Sequence, residues 1–513
     1  MIGRALRRFG AALLAAGVLA GGTAGAAPVK GLTAGPKVRE AYDAILAGRF
    51  DEWPAIASAT CPPAPAQVCQ ALELAALWWQ IQVNPDNRAL DARFLDKANH
   101  AVTEMEAWTA REPERAEAWF YRGAAYGARA QWRVLRAERV AAARDGKRIK
   151  DALERALALD PGLQDAWFGI GLYHYYADVA PAAAKMLRFL LFLPGGDRKQ
   201  GLAEMRRARE NGALLRGEID YQLHVIDLWY ERDPRHAIAL LDGLRKQYPA
   251  NPHFLQTIAE IQDVYLHDAP ASLRTWRELA DLAKAGRVRQ QGLALAVARL
   301  GAAVQLDRLF ETDLAIAELR ALIASRPDAP EGILARARLQ LGDALNRMGA
   351  RGEAEAEYRA VLTLAQGRRD LTDRARAGLR QAPPAALTSA YRASLEGWRA
   401  FERGDLRAAA PLITQAATAW PADPVFRYRE ARLLIAMRDD DGAQKALARV
   451  TAARPDSAPA IIAAAYLESG ALAERQHAPA KAIEFYRHAE QIFGADARTI
   501  AEAKRARERL RVP

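Results

Sequence analysis

The sequence predicts an all-α solenoid of paired helices, on three observations. A spaced phrase of small or apolar residues closed by a proline recurs five times. Ala409, Ile413, Ala416 and Pro421 return 34 residues later as Ala443, Leu447, Val450 and Pro455. The same phrase is Ile149, Leu153, Ala156, Pro161, then Ala237, Leu241, Leu244, Pro249, then Ala315, Leu319, Leu322, Pro327. Such spacing sets three residues on one helix face and then stops the helix, so each unit repeats one local structure. Second, composition leans to Ala, Leu and Arg with few β-branched residues, which favours helices. Third, 513 residues exceed a single compact core and must divide or stack.

The first 26 residues stand apart. Arg4, Arg7 and Arg8 form a positive n-region, Ala11 to Ala20 an apolar stretch, and Ala24-Gly25-Ala26 a small-x-small cleavage site. This is the pattern of a cleavable signal peptide, so residues 1–26 are excluded from the fold and the mature chain is expected to be periplasmic or secreted. Arg7-Arg8 fits a twin-arginine signal poorly, and no Cys near the site suggests a lipid anchor. Arg outnumbers Lys about five to one, a bias that reads as coding composition. Removing the three leader arginines takes the net charge from +11 to +8, modest for this length, and nucleic acid is not an expected partner. Cys61 and Cys69, eight residues apart across a Pro-rich turn, are expected to form a disulfide in an oxidising compartment. A loop that short contributes about 2–3 kcal/mol.

Along the mature chain, Val38 to Ser58 reads as a first helical pair whose first helix closes at Gly48. Cys61 ends the pair and Cys69 opens the next. Ala71 to Val83 and Leu90 to Arg111 are apolar at three- and four-residue intervals, with Asn84-Pro85-Asp86 between them. Pro113 and Pro161 each precede a Trp by six residues and a Gly by ten, at Trp119, Gly123, Trp167 and Gly171. These prolines are 48 apart, so the helices between Tyr126 and Arg148 should be lengthened, with the first turn residues at Asp145-Gly146. Met186 to Leu193 is apolar but too short to cross a bilayer, and Gly195-Gly196-Asp197 leads into a helix near Arg198. Leu341, Gly342, Leu345, Gly349, Ala354 and Tyr358 supply a unit without the closing proline. The expected organisation is a divergent array over 27–380, a linker at 381–386 containing Gln381-Ala382-Pro383-Pro384, and a second array over 387–513. The basic helix from Asp496 to Arg511 would cap the open end.

On these residues the chain resembles the tetratricopeptide-repeat proteins over most of its length, most strongly at the C-terminal units. The middle phrases G-I-G-L-Y, Y-Y and G-G-D-R-x-x-G-L are similar in style to a divergent branch that includes the inclusion-body-clearance proteins of eukaryotes. The general resemblance implies a right-handed superhelix of antiparallel helix pairs whose concave face holds peptides or protein segments. In that repeat class, positions 2, 5, 9 and 12 of the first helix line the inner wall. Carried over from Gly342, they are Arg336, Leu339, Asp343 and Asn346. From Gly397 they are Tyr391, Ser394, Trp398 and Phe401, and from Gly171 they are Asp165, Phe168, Leu172 and Tyr175. Arg and Asn can hold a peptide carboxylate or backbone, and aromatic rings can anchor apolar side chains.

Chemistry is harder to find. The eight histidines include no i, i+4 pair suited to a helical metal site, and there is no GxSxG elbow, P-loop or strand-linked GxGxxG. Asp439-Asp440-Asp441-Gly442 lacks the other ligands of a calcium loop and sits where a turn between paired helices belongs. No cofactor and no metal are expected. The reading is an exported, non-enzymatic scaffold or adaptor acting by protein–protein contact in an envelope-associated assembly. The competing reading is a ligand pocket or enzyme in the irregular 167–202 section, near His174, Tyr175, Tyr176 and Asp178. A third is peripheral membrane contact through Met186 to Leu193.

Overall fold

A computed structural model describes residues 30–180, 195–365, 367–454 and 457–510. The expected leader, the Met186 to Leu193 run and Pro455 lie outside the described residues. Among the described residues there are twenty-four α-helices, and no strand. They run α1 Gly35–Leu46, α2 Trp53–Thr60, α3 Ala66–Val83, α4 Asp91–Arg111, α5 Ala116–Leu135, α6 Arg139–Leu159, α7 Ala166–Val179 and α8 Arg198–Asn211. Next come α9 Arg216–Ile226, α10 Pro234–Gln247, α11 Pro252–Val264, α12 Ala269–Lys284, α13 Gln291–Arg308, α14 Thr312–Ala324, α15 Ile333–Arg347, α16 Arg351–Leu364 and α17 Arg369–Arg380. The last are α18 Ala385–Glu402, α19 Leu406–Ala419, α20 Pro424–Ala436, α21 Asp440–Thr451, α22 Pro459–Arg475, α23 Pro479–Gln491 and α24 Ala497–Arg509.

Local chemistry sets the helix ends. Asp405, Asp423, Asp439 and Asp496 each accept a backbone N–H in the first turn of the helix they precede, which satisfies donors a helix cannot pair itself. The Asp439–Gly442 stretch is therefore the start of α21. Several turns within pairs end on a left-handed residue: Ala137, Phe310, Gly349, Gly404, Arg438 and His477. Gly takes that backbone freely, whereas a bulky residue such as Phe310 pays for it. Cys61 caps the end of α2 and is disulfide-bonded to Cys69 in α3.

Each helix packs on its successor except α17 on α18, and alternate helices also pack on one another from α1 to α7, from α11 to α17 and from α18 to α24. That two-layer stacking makes an α-solenoid. The inner series passes through α11, α13, α15 and α17, and is resumed by α18, α20, α22 and α24. Two inner helices thus follow one another across Gln381–Pro384. One expectation is corrected. The lengthened pair is α5 and α6, but it turns at Ala137, and Asp145-Gly146 lie within α6. Asp145 is fully buried there and held by Arg129 (2.9 Å) and Arg133 (2.5 Å), so the helix continues through a dipeptide that reads as a turn.

The first part of the solenoid closes on itself. A single apolar core runs from α1 to α11. The Tyr42 hydroxyl of α1 donates to buried Glu218 of α9 (3.0 Å), and Trp79 of α3 donates to the same oxygen (3.1 Å). Burial raises the Glu218 carboxyl above its ordinary value, against the stabilising hydrogen bonds of Tyr42, Gln222, Gln131 and Trp79. Asn251 donates to the Leu46 carbonyl (2.8 Å) and the Tyr248 hydroxyl to Asp43 (2.6 Å). Further on, Arg289 meets Glu52 (2.6 Å) and Arg336 meets Asp86 (3.5 Å), residues some 240 positions apart in the chain. The N-terminal hairpins therefore occupy the inside of the first curve.

Candidate protein-binding surfaces

The carried-over wall residues fall into three groups. Arg336 is half-buried and bonded to Asp86 and the Glu331 carbonyl. Asp343 accepts from the Tyr358 hydroxyl (2.8 Å) and Arg374 (2.9 Å), and Asn346 donates to the Gln381 carbonyl (3.3 Å). Their polar groups join α15 to neighbouring parts of the same array. Tyr175 is fully buried, with its hydroxyl donating to Glu231 (2.5 Å). Its neighbour His174 is bonded to Glu204 (2.7 Å), so these polar groups of the irregular section are engaged within the chain.

Tyr391, Trp398 and Phe401 lie together on α18, where the second array meets the first. The turn between α13 and α14 enters this wall. Phe310 packs against the cluster of Ala390, Tyr391, Val425 and Phe426. The Tyr391 hydroxyl bonds Thr312 Oγ1 at 2.7 Å. Arg429 of α20 donates to Ser394 (2.9 Å) and to the Phe310 carbonyl (3.1 Å). Arg399 pairs with Glu311 and with Asp313 (2.6 Å). Trp398 and Phe401 remain half-buried, stacked at 4.8 Å, with Arg429 5.3 Å over the Trp398 ring. Arg432 follows, paired with Glu468 of α22 at 3.3 Å.

Electrostatics mark the junction. Arg429 is 4 % exposed, and burial pushes its guanidinium down to about 10. Arg399 is also opposed by burial, but Asp313, Glu311 and Glu402 hold its pKa above the usual value. The Glu311 carboxyl is raised, first by burial, against the attraction of Arg399. The arrangement positions charge between two helical arrays; what it offers outward is a stacked aromatic pair beside a cation.

A second feature comes from parts of the chain that are far apart. A cleft of about 820 Å³ opens between the Gly48–Asp51 turn, the end of α3 with its following loop, and the start of α13. Its floor is apolar and its rim carries side-chain amides, including Gln80, Asn84, Gln290 and Gln291. No local motif marks those amides in the sequence, because three separate segments bring them together. Among the described residues no group of three or more His, Cys, Asp or Glu is placed to hold a metal ion, and no helix is long and apolar enough to cross a membrane.

Stacked helix pairs with two inner series define a repeat solenoid. Residues 400–466 match the tetratricopeptide repeat family model. Tetratricopeptide repeats are thus identified at residues 400–466, within an all-α solenoid. Similar solved structures include a tetratricopeptide repeat protein from Parabacteroides merdae, 17% identical, covering 57% of this chain and 98% of that one, with a TM-score of 0.26. Another is the TPR domain of P58(IPK), 14% identical, covering 86% of this chain and 98% of that one, with a TM-score of 0.22. No curated protein matches the chain.

Proposed function

We propose that this protein is an exported scaffold or adaptor that holds protein or peptide segments on the inner wall of its second array, without catalysis of its own. Its setting would be an envelope-associated assembly in the periplasm, reached through the signal-like segment at 1–26. The observation that carries the reading is the Trp398–Phe401 stack. Two large rings stand half-buried at wall positions, with Arg429 fixing the inner face of one of them. Aromatic residues beside Arg are the side chains most often found to dominate protein–protein contacts. The wall is preformed on packed helices, so little ordering entropy is lost by the host on binding.

The test is an in-cell crosslinking pull-down with the tagged full chain in its own host, read by mass spectrometry. The expected result is recovery of one envelope protein, reduced at least tenfold by Trp398→Ala with melting temperature and circular dichroism unchanged. Recovery that Trp398→Ala leaves intact would remove the wall from the reading. Fractionation of the same cells tests export: the tagged protein in the cytoplasmic fraction would refute a periplasmic role.

A further inference from the structure

The cleft between the N-terminal hairpins and α13 shares no lining residue with the wall at Trp398. Four amides on its rim, Gln80, Asn84, Gln290 and Gln291, make no side-chain hydrogen bond within the described residues. Each presents one acceptor and two donors, the same pairing a peptide group presents in return. Behind them, α13 begins at Gln291 with no side chain capping its first turn, which leaves backbone N–H donors there without an intrahelical acceptor. Gln290 itself holds a left-handed backbone (φ 46°), an unfavourable conformation for a residue with a side chain. The floor is apolar: Ile81, Val83 and Val288 are buried there, and Leu90 and Leu293 are half-buried.

Charge separates the candidate ligands. The cation in the lining, Arg289, is taken up by Glu52 at 2.6 Å and Asp51 at 3.7 Å, so the cleft has no spare positive charge for an anion. Phe50 is its one lining aromatic, which gives a sugar ring little to stack on. Aliphatic floor, amide rim and cancelled charge suit a neutral chain with alternating side chains. The volume lies within the roughly 300–1,000 Å³ common for ligand sites.

We propose that this cleft binds an extended, uncharged peptide segment, its backbone on the rim amides and its aliphatic side chains on the Ile81–Val288 floor. The site is independent of the wall at Trp398. The probe is a library of capped hexapeptides drawn from neutral and charged residues, applied to the full chain and read by fluorescence anisotropy. Enrichment of uncharged sequences with aliphatic residues at alternate positions is the expected result, with affinity falling at least tenfold in Gln80→Ala/Gln291→Ala. Gln290→Glu, at an exposed position that should not disturb folding, should weaken the same peptides by placing a charge at the rim. No enrichment, enrichment of charged peptides, or equal binding by both variants would overturn the proposal. Maltohexaose binding lost in the same variants would overturn it too, in favour of a carbohydrate. Library peptides released by Trp398→Ala and not by the cleft variants would assign them to the wall, and the cleft site would fail while the wall reading stood.

Discussion

Gly397 gives the most direct test of how the second array is built. A Cβ placed there would lie 2.8 Å from Ile413 Cγ1, 2.9 Å from Leu412 Cβ and 3.0 Å from the Ile413 backbone nitrogen. Carbon pairs sit comfortably at about 3.5–4.0 Å, so α18 and α19 are closer than any larger residue allows. A rotamer change can move Cγ1, but not a backbone nitrogen or a Cβ. Gly397→Ala must therefore push two helices apart around Ile413, which is 1 % exposed. Overpacking of this kind costs about 1–3 kcal/mol, and the backbone contact puts it near the upper end. Against it stands the gain of about 1 kcal/mol for Ala over Gly inside a helix. The expected net loss is about 2 kcal/mol. Gly243 in α10 is the control: it has nothing within 4 Å, so Gly243→Ala should gain about 0.5–1 kcal/mol from propensity alone. Hydrogen exchange read peptide by peptide measures both locally, because opening free energies differ along a solenoid. Protection in α18 and α19 should fall about thirtyfold in the first variant, and protection in α10 should rise in the second. Increased protection in both variants would refute the close-approach argument.

Two further outcomes follow from buried polar groups. Thr312 is fully buried and its hydroxyl also bonds Asp307 at 3.0 Å, so Tyr391→Phe should cost about 1 kcal/mol and Thr312→Val about 1–3 kcal/mol. A double-mutant cycle should show about 1 kcal/mol of coupling; additive losses would mean that the turn does not dock on α18 in solution. His224 is 3 % exposed, and burial lowers its pKa to about 3 against a hydrogen bond with the Tyr221 backbone. The unfolded chain, with His near 6.5, then binds more protons between about pH 6.5 and 3, so this group removes stability as pH falls through that window. At pH 5 the loss relative to neutrality is about 2 kcal/mol by that linkage. The raised carboxyl of Glu218 acts in the opposite sense, because the folded state keeps a proton above pH 4.5 that the unfolded state releases. Urea midpoints at pH 7.5 and 5 should therefore converge in His224→Phe relative to the native chain; parallel shifts would show that His224 is not held neutral.

Local signals in the sequence explain the pairs but not their closure. The phrase from Ala409 to Pro421 fixes one helix face and one stop, and both are decided within thirteen residues. The recurring cap at Asp405 and Asp439, 34 positions apart, is equally local. Ala137 escaped notice because its turn has no Gly, Pro or Asn, and Asp145-Gly146 misled because Arg129 and Arg133 supply a reason to stay helical that lies on another helix. The wall positions follow from register, since position within a repeat is periodic. What faces them is not periodic. Phe310 reaches Tyr391 across some 80 residues, and Asp86 reaches Arg336 across 250. Nothing in either neighbourhood announces its partner. The cleft was invisible for the same reason, since Gln80 and Gln291 are far apart in the chain and line one cleft only once it has folded.

That internal occupancy narrows where a partner can sit. The first curve is filled by α1 and α3, which share a core with α9 and α11. At the second array, the rows beginning with Tyr391 and Ser394 are used by the 309–313 turn: an aromatic ring, a carbonyl on Arg429, and two carboxylates on Arg399. A segment binding there would have to displace buried pairs, and freeing Arg429 or Glu311 without a replacement leaves an unpaired charge, a cost of about 3–5 kcal/mol in buried settings. The rows of Trp398, Phe401 and Arg432 carry no such seal, and Arg432–Glu468 is a partly exposed pair that can exchange at little cost. On the proposed reading, a partner therefore enters from the α22 end of the wall and stops at the Trp398 ring. Replacing Phe310 should then change how the arrays hold together, and replacing Trp398 should change what they hold.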